Sequence, residues 1–331
     1  MGRIFIAALA LSTAMSCADP FAKPDAGTNV QGVGEDAGVV ACDVDLQGVV
    51  TTLAKGNYCV VGDVIIPPNT TLDIPAGTTF TVKGRFHFGR DPAMPDYEPP
   101  MITGSGAIRA IGTAEEPIVF RGETPDTGWF GIAVSHASDV IQLEYVTISD
   151  TKKDDPSTFS RIWRVGGALN SYMNKKGTIL RHCTFTNNRV VSAGGAVEIF
   201  GHGQWPDAAP VEITDSTFEN NSCECSVYSA NVNDTCGGGA LRLTQVSGNA
   251  TLVKIEGNTF RNNSAKVGFG GGLGGSQSGV TLGAGNVFEG NEAAAGGAIS
   301  CNNQPMLGKV VDELDPSVTF TGNRPDIGCG R

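Results

Sequence analysis

Thr184-Phe185-Thr186-Asn187-Asn188, Thr217-Phe218-Glu219-Asn220-Asn221, Thr259-Phe260-Arg261-Asn262-Asn263, Val287-Phe288-Glu289-Gly290-Asn291 and Thr319-Phe320-Thr321-Gly322-Asn323 are five copies of one line of sequence. Each copy carries Phe in second place and Asn three residues after it. A second motif falls in the gaps: Gly194-Gly195-Ala196-Val197, Gly238-Gly239-Ala240-Leu241, Gly270-Gly271-Gly272-Leu273 and Gly296-Gly297-Ala298-Ile299. Successive Phe residues lie 33, 42, 28 and 32 positions apart, a period typical of repeats that bury their apolar face only by stacking on one another.

Local chemistry decides between a helical and a β solenoid. The repeats are poor in helix formers and rich in Thr, Val, Phe, Ile, Asn and Gly, which favour strands and turns. Thr-Phe opens a short alternating run. The Asn three places on suits a tight corner, since its side chain tolerates left-handed backbone and bonds nearby amides. Gly-Gly-Ala supplies another corner, followed by a strand whose inward residues are Val197 and Ile199, then Leu241 and Leu243. Coils stacked about 4.8 Å apart place Phe185, Phe218, Phe260, Phe288 and Phe320 in one interior column. Asn188, Asn221, Asn263, Asn291 and Asn323 then form another. The expected fold is all-β, a single-stranded parallel β-helix solenoid.

The paired Phe-x-x-Asn and Gly-Gly-Ala-[Ile/Leu/Val] motifs resemble the repeat of the chlamydial polymorphic outer-membrane proteins, over roughly residues 145–331. Those proteins belong to the wider right-handed β-helix group that also contains pectin lyases, and the resemblance implies the same handedness here. It identifies a coil and no catalytic centre. One departure stands out: the polymorphic proteins end in a membrane β-barrel, whereas this sequence stops eight residues after Asn323, so an autotransporter of that design is not expected.

Ahead of the clear repeats the same solenoid is written less regularly. Thr71-Leu72-Asp73-Ile74 and Thr79-Phe80-Thr81-Val82 read as strands separated by turns such as Pro75-Ala76-Gly77-Thr78. Pro117-Ile118-Val119-Phe120 and Leu143-Glu144-Tyr145-Val146-Thr147-Ile148 follow, and Ile148 stands where later coils have Phe. Residues 42–331 are therefore expected to form one β-helix domain. Residues 1–16 read as a signal peptide, with Arg3 ahead of the apolar run Ile4 to Leu11. Ala14-Met15-Ser16-Cys17 resembles a bacterial lipobox with Ala14 in the usual place of Leu, which makes Cys17 the expected lipidation site. The alternative is ordinary cleavage near Ser16 or Ala18 and secretion. Residues 17–41, rich in Ala, Gly, Asp and Pro, read as a flexible tether.

The formal net charge of −11 becomes −12 once Arg3 leaves with residues 1–16. That balance argues against nucleic acid and against polybasic membrane binding. Setting Cys17 aside leaves eight cysteines, an even number that suits disulfides in an oxidising compartment. Cys42 and Cys59 are expected to bridge the first coil. Cys223, Cys225 and Cys236 fall in the longest insertion between motifs, where a bridge would staple a protruding loop. A metal site there lacks a fourth ligand and a nearby His. Cys183 aligns with Ser216 and Asn258, and Cys301 with Ile199 and Leu243, as core positions.

No catalytic set stands out. His87, His136, His182 and His202 are scattered, and the segment around His202 and Trp205 reads as an exposed loop. Asn170, Glu198, Arg242, Gly274 and Ser300 share one outward column, where Glu198 and Arg242 read as a cross-strand ion pair. Glu212, Asp215 and Glu219 are a weak signal for glycoside hydrolysis. No cofactor or metal is expected. The sequence thus points to a non-enzymatic bacterial envelope protein held on the outer membrane by its acyl anchor, touching a glycan or a cell-surface protein. The alternative is a polysaccharide lyase or glycoside hydrolase.

Overall fold

A computed structural model describes residues 42–86, 106–124, 128–153, 165–201, 209–224, 237–246, 252–276, 278–300 and 311–325. All of them belong to one compact unit, Gly34–Arg331. The proposed signal peptide, Cys17 and the tether up to residue 41 lie outside the described residues.

Within those residues the chain forms strands and no helices. The strands assemble into four sheets, one of ten strands, one of eight and two of five, with parallel pairing throughout. The path of one coil shows why the pairing is parallel. Leu169–Tyr172, Thr178–Arg181, Thr184–Thr186 and Arg189–Val190 each belong to a different sheet. The chain then returns as Val197–Phe200, which pairs with Leu169–Tyr172 one coil back. Between Ile132 and Ala295 each turn of chain adds one strand to every sheet, an arrangement consistent with a parallel β-solenoid.

The corners correct one reading of the repeat. The Asn three residues after Phe does not take left-handed backbone; its predecessor does. Asn187, Asn220, Asn262, Gly290 and Gly322 have φ of 56°, 55°, 53°, 64° and 63°. These are the residue types that tolerate that region, so the motif is better written Phe-x-[Asn/Gly]-Asn. The glycine pairs divide labour in a similar way. Gly194, Gly238, Gly270 and Gly296 take positive φ, whereas a Cβ on Gly195 would run into the Gly239 carbonyl of the next coil.

The interior is a stack of aromatic rings. Phe185–Phe218, Phe218–Phe260, Phe260–Phe288 and Phe288–Phe320 have centroid separations of 4.9, 4.8, 4.6 and 5.4 Å with nearly parallel planes. All but Phe320, which is partly buried, are fully enclosed. The column runs further back than the five motifs indicate. Phe185 is in register with Ile148, and Ile148 with Phe120; Phe120 then stacks on Phe80 at 4.4 Å and Phe80 on Tyr58 at 5.4 Å.

The other face of this ten-stranded sheet carries two outward rows. In the first, consecutive in-register positions are Thr79, Val119, Thr147, Thr184, Thr217, Thr259, Val287 and Thr319. In the second, two residues on, they are Thr81, Arg121, Ser149, Thr186, Glu219, Arg261, Glu289 and Thr321. The β-branched first row matches strand propensity on an outer face. The second row is partly stitched by charge, with Arg261 between Glu219 at 3.6 Å and Glu289 at 3.0 Å.

Candidate functional site

The five repeat asparagines form a buried hydrogen-bond ladder beside the Phe column. In each rung the side-chain Oδ1 accepts from the backbone N–H and the Nδ2 of the Asn one coil earlier. The Nδ2 pairs Asn188–Asn221, Asn221–Asn263, Asn263–Asn291 and Asn291–Asn323 are 3.0, 3.0, 2.9 and 2.9 Å long. Each Nδ2 also donates to a main-chain carbonyl of the previous coil, Asn263 to Phe218 at 2.9 Å and Asn323 to Phe288 at 3.0 Å. A second, shorter ladder runs along another corner. There the backbone N–H of Cys183, Ser216 and Asn258 donates to the side chain of Ser216, Asn258 and Asn286 in turn, at 3.0, 3.0 and 3.1 Å. The alignment of Cys183 with Ser216 and Asn258 was visible in the sequence; Asn286 and the bonding were not. Both ladders consume their polar atoms internally, so they shape the wall and offer it no chemistry.

Where the Asn corner meets the surface, a polar groove of about 270 Å³ opens. It is lined by residues that include Asp150, Lys152, Asn187, Arg189, Asn220 and Glu224. Arg189 lies 3.4 Å from Glu224 across it, and Asn187 Nδ2 is 3.4 Å from Asp150 Oδ1.

The column of Asn170, Glu198, Arg242, Gly274 and Ser300 differs from the sequence reading in one respect. It does point away from the Phe column, on the five-stranded sheet built from Ile132–Ser135, Leu169–Tyr172, Val197–Phe200, Leu241–Thr244 and Leu273–Ser276. Yet Asn170, Glu198, Arg242 and Ser300 are all buried. Alternation along a strand says which face a residue takes and not whether that face is covered. Glu198 and Arg242 are neighbours, with Oε2 and Nε 3.7 Å apart, and Thr244 Oγ1 donates to Glu198 Oε1 at 2.9 Å. Burial pushes the Glu198 carboxyl up to about 7, against the opposing pull of Arg242 and the Thr244 bond. A group of this kind holds a proton near neutrality and can release it.

The sign of the resulting pH dependence is fixed. The folded protein binds the Glu198 proton more tightly than the unfolded chain does. The contribution to stability is therefore complete below the ordinary carboxyl value of 4.5 and is lost as pH rises through about 7. The expected size is up to about 3 kcal/mol. The stability of Glu198→Gln relative to the wild type should be lowest near pH 4 and rise up to about pH 8, as read by paired thermal or urea melts. An unchanged difference between the two proteins across that range would show that Glu198 is ionised throughout.

Other acidic candidates are drawn apart. Glu212 sits on the eight-stranded sheet in a two-point pair with Arg181, at 2.9 and 2.7 Å, and Arg181 holds its carboxyl below the ordinary range. Glu219 sits on the ten-stranded sheet beside Arg261, and Asp215 occupies the left-handed corner between the two, with φ 51°. Closeness in sequence therefore does not become a carboxylate pair. His182 stacks on Tyr145 at 4.5 Å, and His136 Nδ1 lies 2.8 Å from Ser135 Oγ. His87, His202 and Trp205 lie outside the described residues. Among the described residues no group of three or more His, Cys, Asp or Glu is placed to hold a metal ion.

The cysteines divide unevenly. Cys42 and Cys59 are bonded, with Cα atoms 5.2 Å apart, tying the first strand to the second; closing that 17-residue separation contributes about 3 kcal/mol in the loop-entropy account. Cys183 is buried and free, and burial pushes its thiol up to about 12. The eight cysteines thus do not all pair. Cys223 is not in a protruding loop. It belongs to the strand Ser222–Cys223, buried in a small satellite cluster with Val190, Ala265 and Ala293, and it is disulfide-bonded. That excludes its thiolate as a metal ligand. Cys225, Cys236, Cys301 and Cys329 lie outside the described residues.

Compared with known protein families, curated proteins and solved structures, the chain finds no match.

Proposed function

We propose that this chain is a non-enzymatic surface rod of the bacterial envelope: a single-stranded, right-handed parallel β-helix, held on the outer membrane by an acyl chain on Cys17. Its rigid wall presents side chains and loops for adhesion or structural contact with a glycan or a cell-surface protein. The handedness and the kinship with polymorphic outer-membrane repeats are part of this reading, and rest on the paired motifs.

One observation carries it. Among the described residues, Glu212, Glu219 and Glu289 are spread over two sheets and are held in ion pairs between neighbouring coils: Glu212 with Arg181, and Glu219 and Glu289 with Arg261. Individually such exposed pairs contribute little. Repeated from coil to coil, they favour one stacking register, a structural use of charge.

The test is fractionation of cells expressing the full chain. Wild-type protein should incorporate labelled acyl chains and sediment with membranes, whereas Cys17→Ser should lose the label and move to the soluble fraction. Unchanged membrane association in that variant would sink the anchor. Release of unsaturated uronides from pectate or alginate by the purified protein would replace the structural reading with the enzymatic one.

A further inference from the structure

We propose that the outer face of the ten-stranded sheet is a self-association surface. On it a second copy of this chain packs face to face with the coil order reversed, about a two-fold axis lying between Thr184 and Thr217. A two-fold axis parallel to the strands reverses the order of coils while keeping each outward row over the same row of the partner, and such interfaces are isologous. The two sheets then stack aligned, about 10 Å apart, as sheets do when packed face to face.

The first outward row reads the same in both directions: Thr, Val, four Thr, Val, Thr. Under this axis Val119 meets the partner's Val287 and Thr184 meets the partner's Thr217. In the second row the same operation sets Arg121 against the partner's Glu289, Thr186 against the partner's Glu219 and the buried Ser149 against the partner's Arg261, so the charged contact it creates joins opposite signs. Arg121 is a cation of this row with no carboxylate partner among the described residues; its polar contact is Thr81 Oγ1 at 3.4 Å. An axis along the direction of coil stacking would instead set each charged row against the Thr/Val row and leave Arg121 facing the partner's Val119. Charge complementarity therefore selects the reversed order.

Size sets the strength. Eight coils span about 40 Å, and a stripe two residues wide along them buries on the order of 400 Å² per partner. That is below the roughly 800 Å² of a standard stable interface. The dimer is accordingly weak and reversible.

The experiment uses the full chain carrying Cys17→Ser, so that neither an acyl group nor a failure of the anchor reading enters the result. Sedimentation equilibrium from micromolar to millimolar protein should show a monomer–dimer equilibrium. Arg121→Glu alone and Glu289→Arg alone should each weaken association by more than about tenfold, because each homodimer then contains two like-charge contacts. An equimolar mixture of the two variants should recover it, because every charged contact in the mixed dimer is again opposite in sign. Circular dichroism melts of each variant confirm folding, which both outward positions permit. A wild type that stays monomeric throughout, or a mixture no tighter than the separate variants, would overturn the proposal.

Discussion

Asn263→Leu is expected to cost about 4–5 kcal/mol, a large loss for a substitution that nearly preserves side-chain size. Asn263 Oδ1 accepts from both the backbone N–H and the Nδ2 of Asn221, and its Nδ2 donates to Phe218 O and Asn291 Oδ1, all at 2.9–3.0 Å. Leucine removes the rung and strands two buried donors and one buried carbonyl. Each unsatisfied group costs roughly 1–3 kcal/mol, with a gain from apolar burial to set against it. Because each coil touches only its neighbours, the damage should be local. Hydrogen exchange should show lost protection over the coils of Phe218, Phe260 and Phe288 before the rest. A loss below about 1 kcal/mol in denaturant melts would mean that water replaces the rung without penalty.

Phe260→Ala is expected to cost about 3–5 kcal/mol, in the range of aromatic deletions from packed cores. The ring lies between Phe218 at 4.8 Å and Phe288 at 4.6 Å, with no exposure to solvent. Coils held in register by both ladders cannot collapse inward to fill the space. Phe320→Ala provides the internal comparison, since that ring has a single stacked neighbour and is only partly buried. It should cost less than half as much. Equal losses at the two sites would show that stacking within the column adds nothing to simple burial.

These two residues also mark what the sequence made legible. Phe260 and Asn263 could be assigned to interior columns because the same side chain recurs at the same place in five coils. Only a stack brings such recurrences together. Phe80 and Phe120 continue the Phe column, but unequal spacing and the substitution of Ile148 obscure their equivalence to the later residues. The left-handed corner precedes the repeat Asn by one residue, and Asn suits both jobs; only the alternation of Asn with Gly at 187, 220, 262, 290 and 322 separates them, since Gly can supply the backbone angle and not the hydrogen bonds. The pairing of Glu198 with Arg242 is legible in the sequence, and the burial of Glu198 is not. Its outward direction follows from local alternation, whereas its burial depends on what lies over the sheet, and no repeat encodes that. The separation of Glu212 from Glu219 was hidden because a corner at Asp215 turns seven residues of chain onto two different sheets.

The ladder has a consequence for the length of the molecule. Every rung presents the same donors to one side and the same acceptor to the other, so a coil recognises its neighbour by position and not by identity. Asn188 and Asn221 are 33 residues apart and Asn221 and Asn263 are 42 apart, yet the rung distances agree to about 0.1 Å. Register is thus indifferent to what the intervening chain does. A lineage carrying such a sequence can duplicate or drop a whole coil without re-optimising the interior, and can vary loops on the surface while the bore stays constant. Length along the stack of coils then becomes a countable property, adjustable in steps of one repeat.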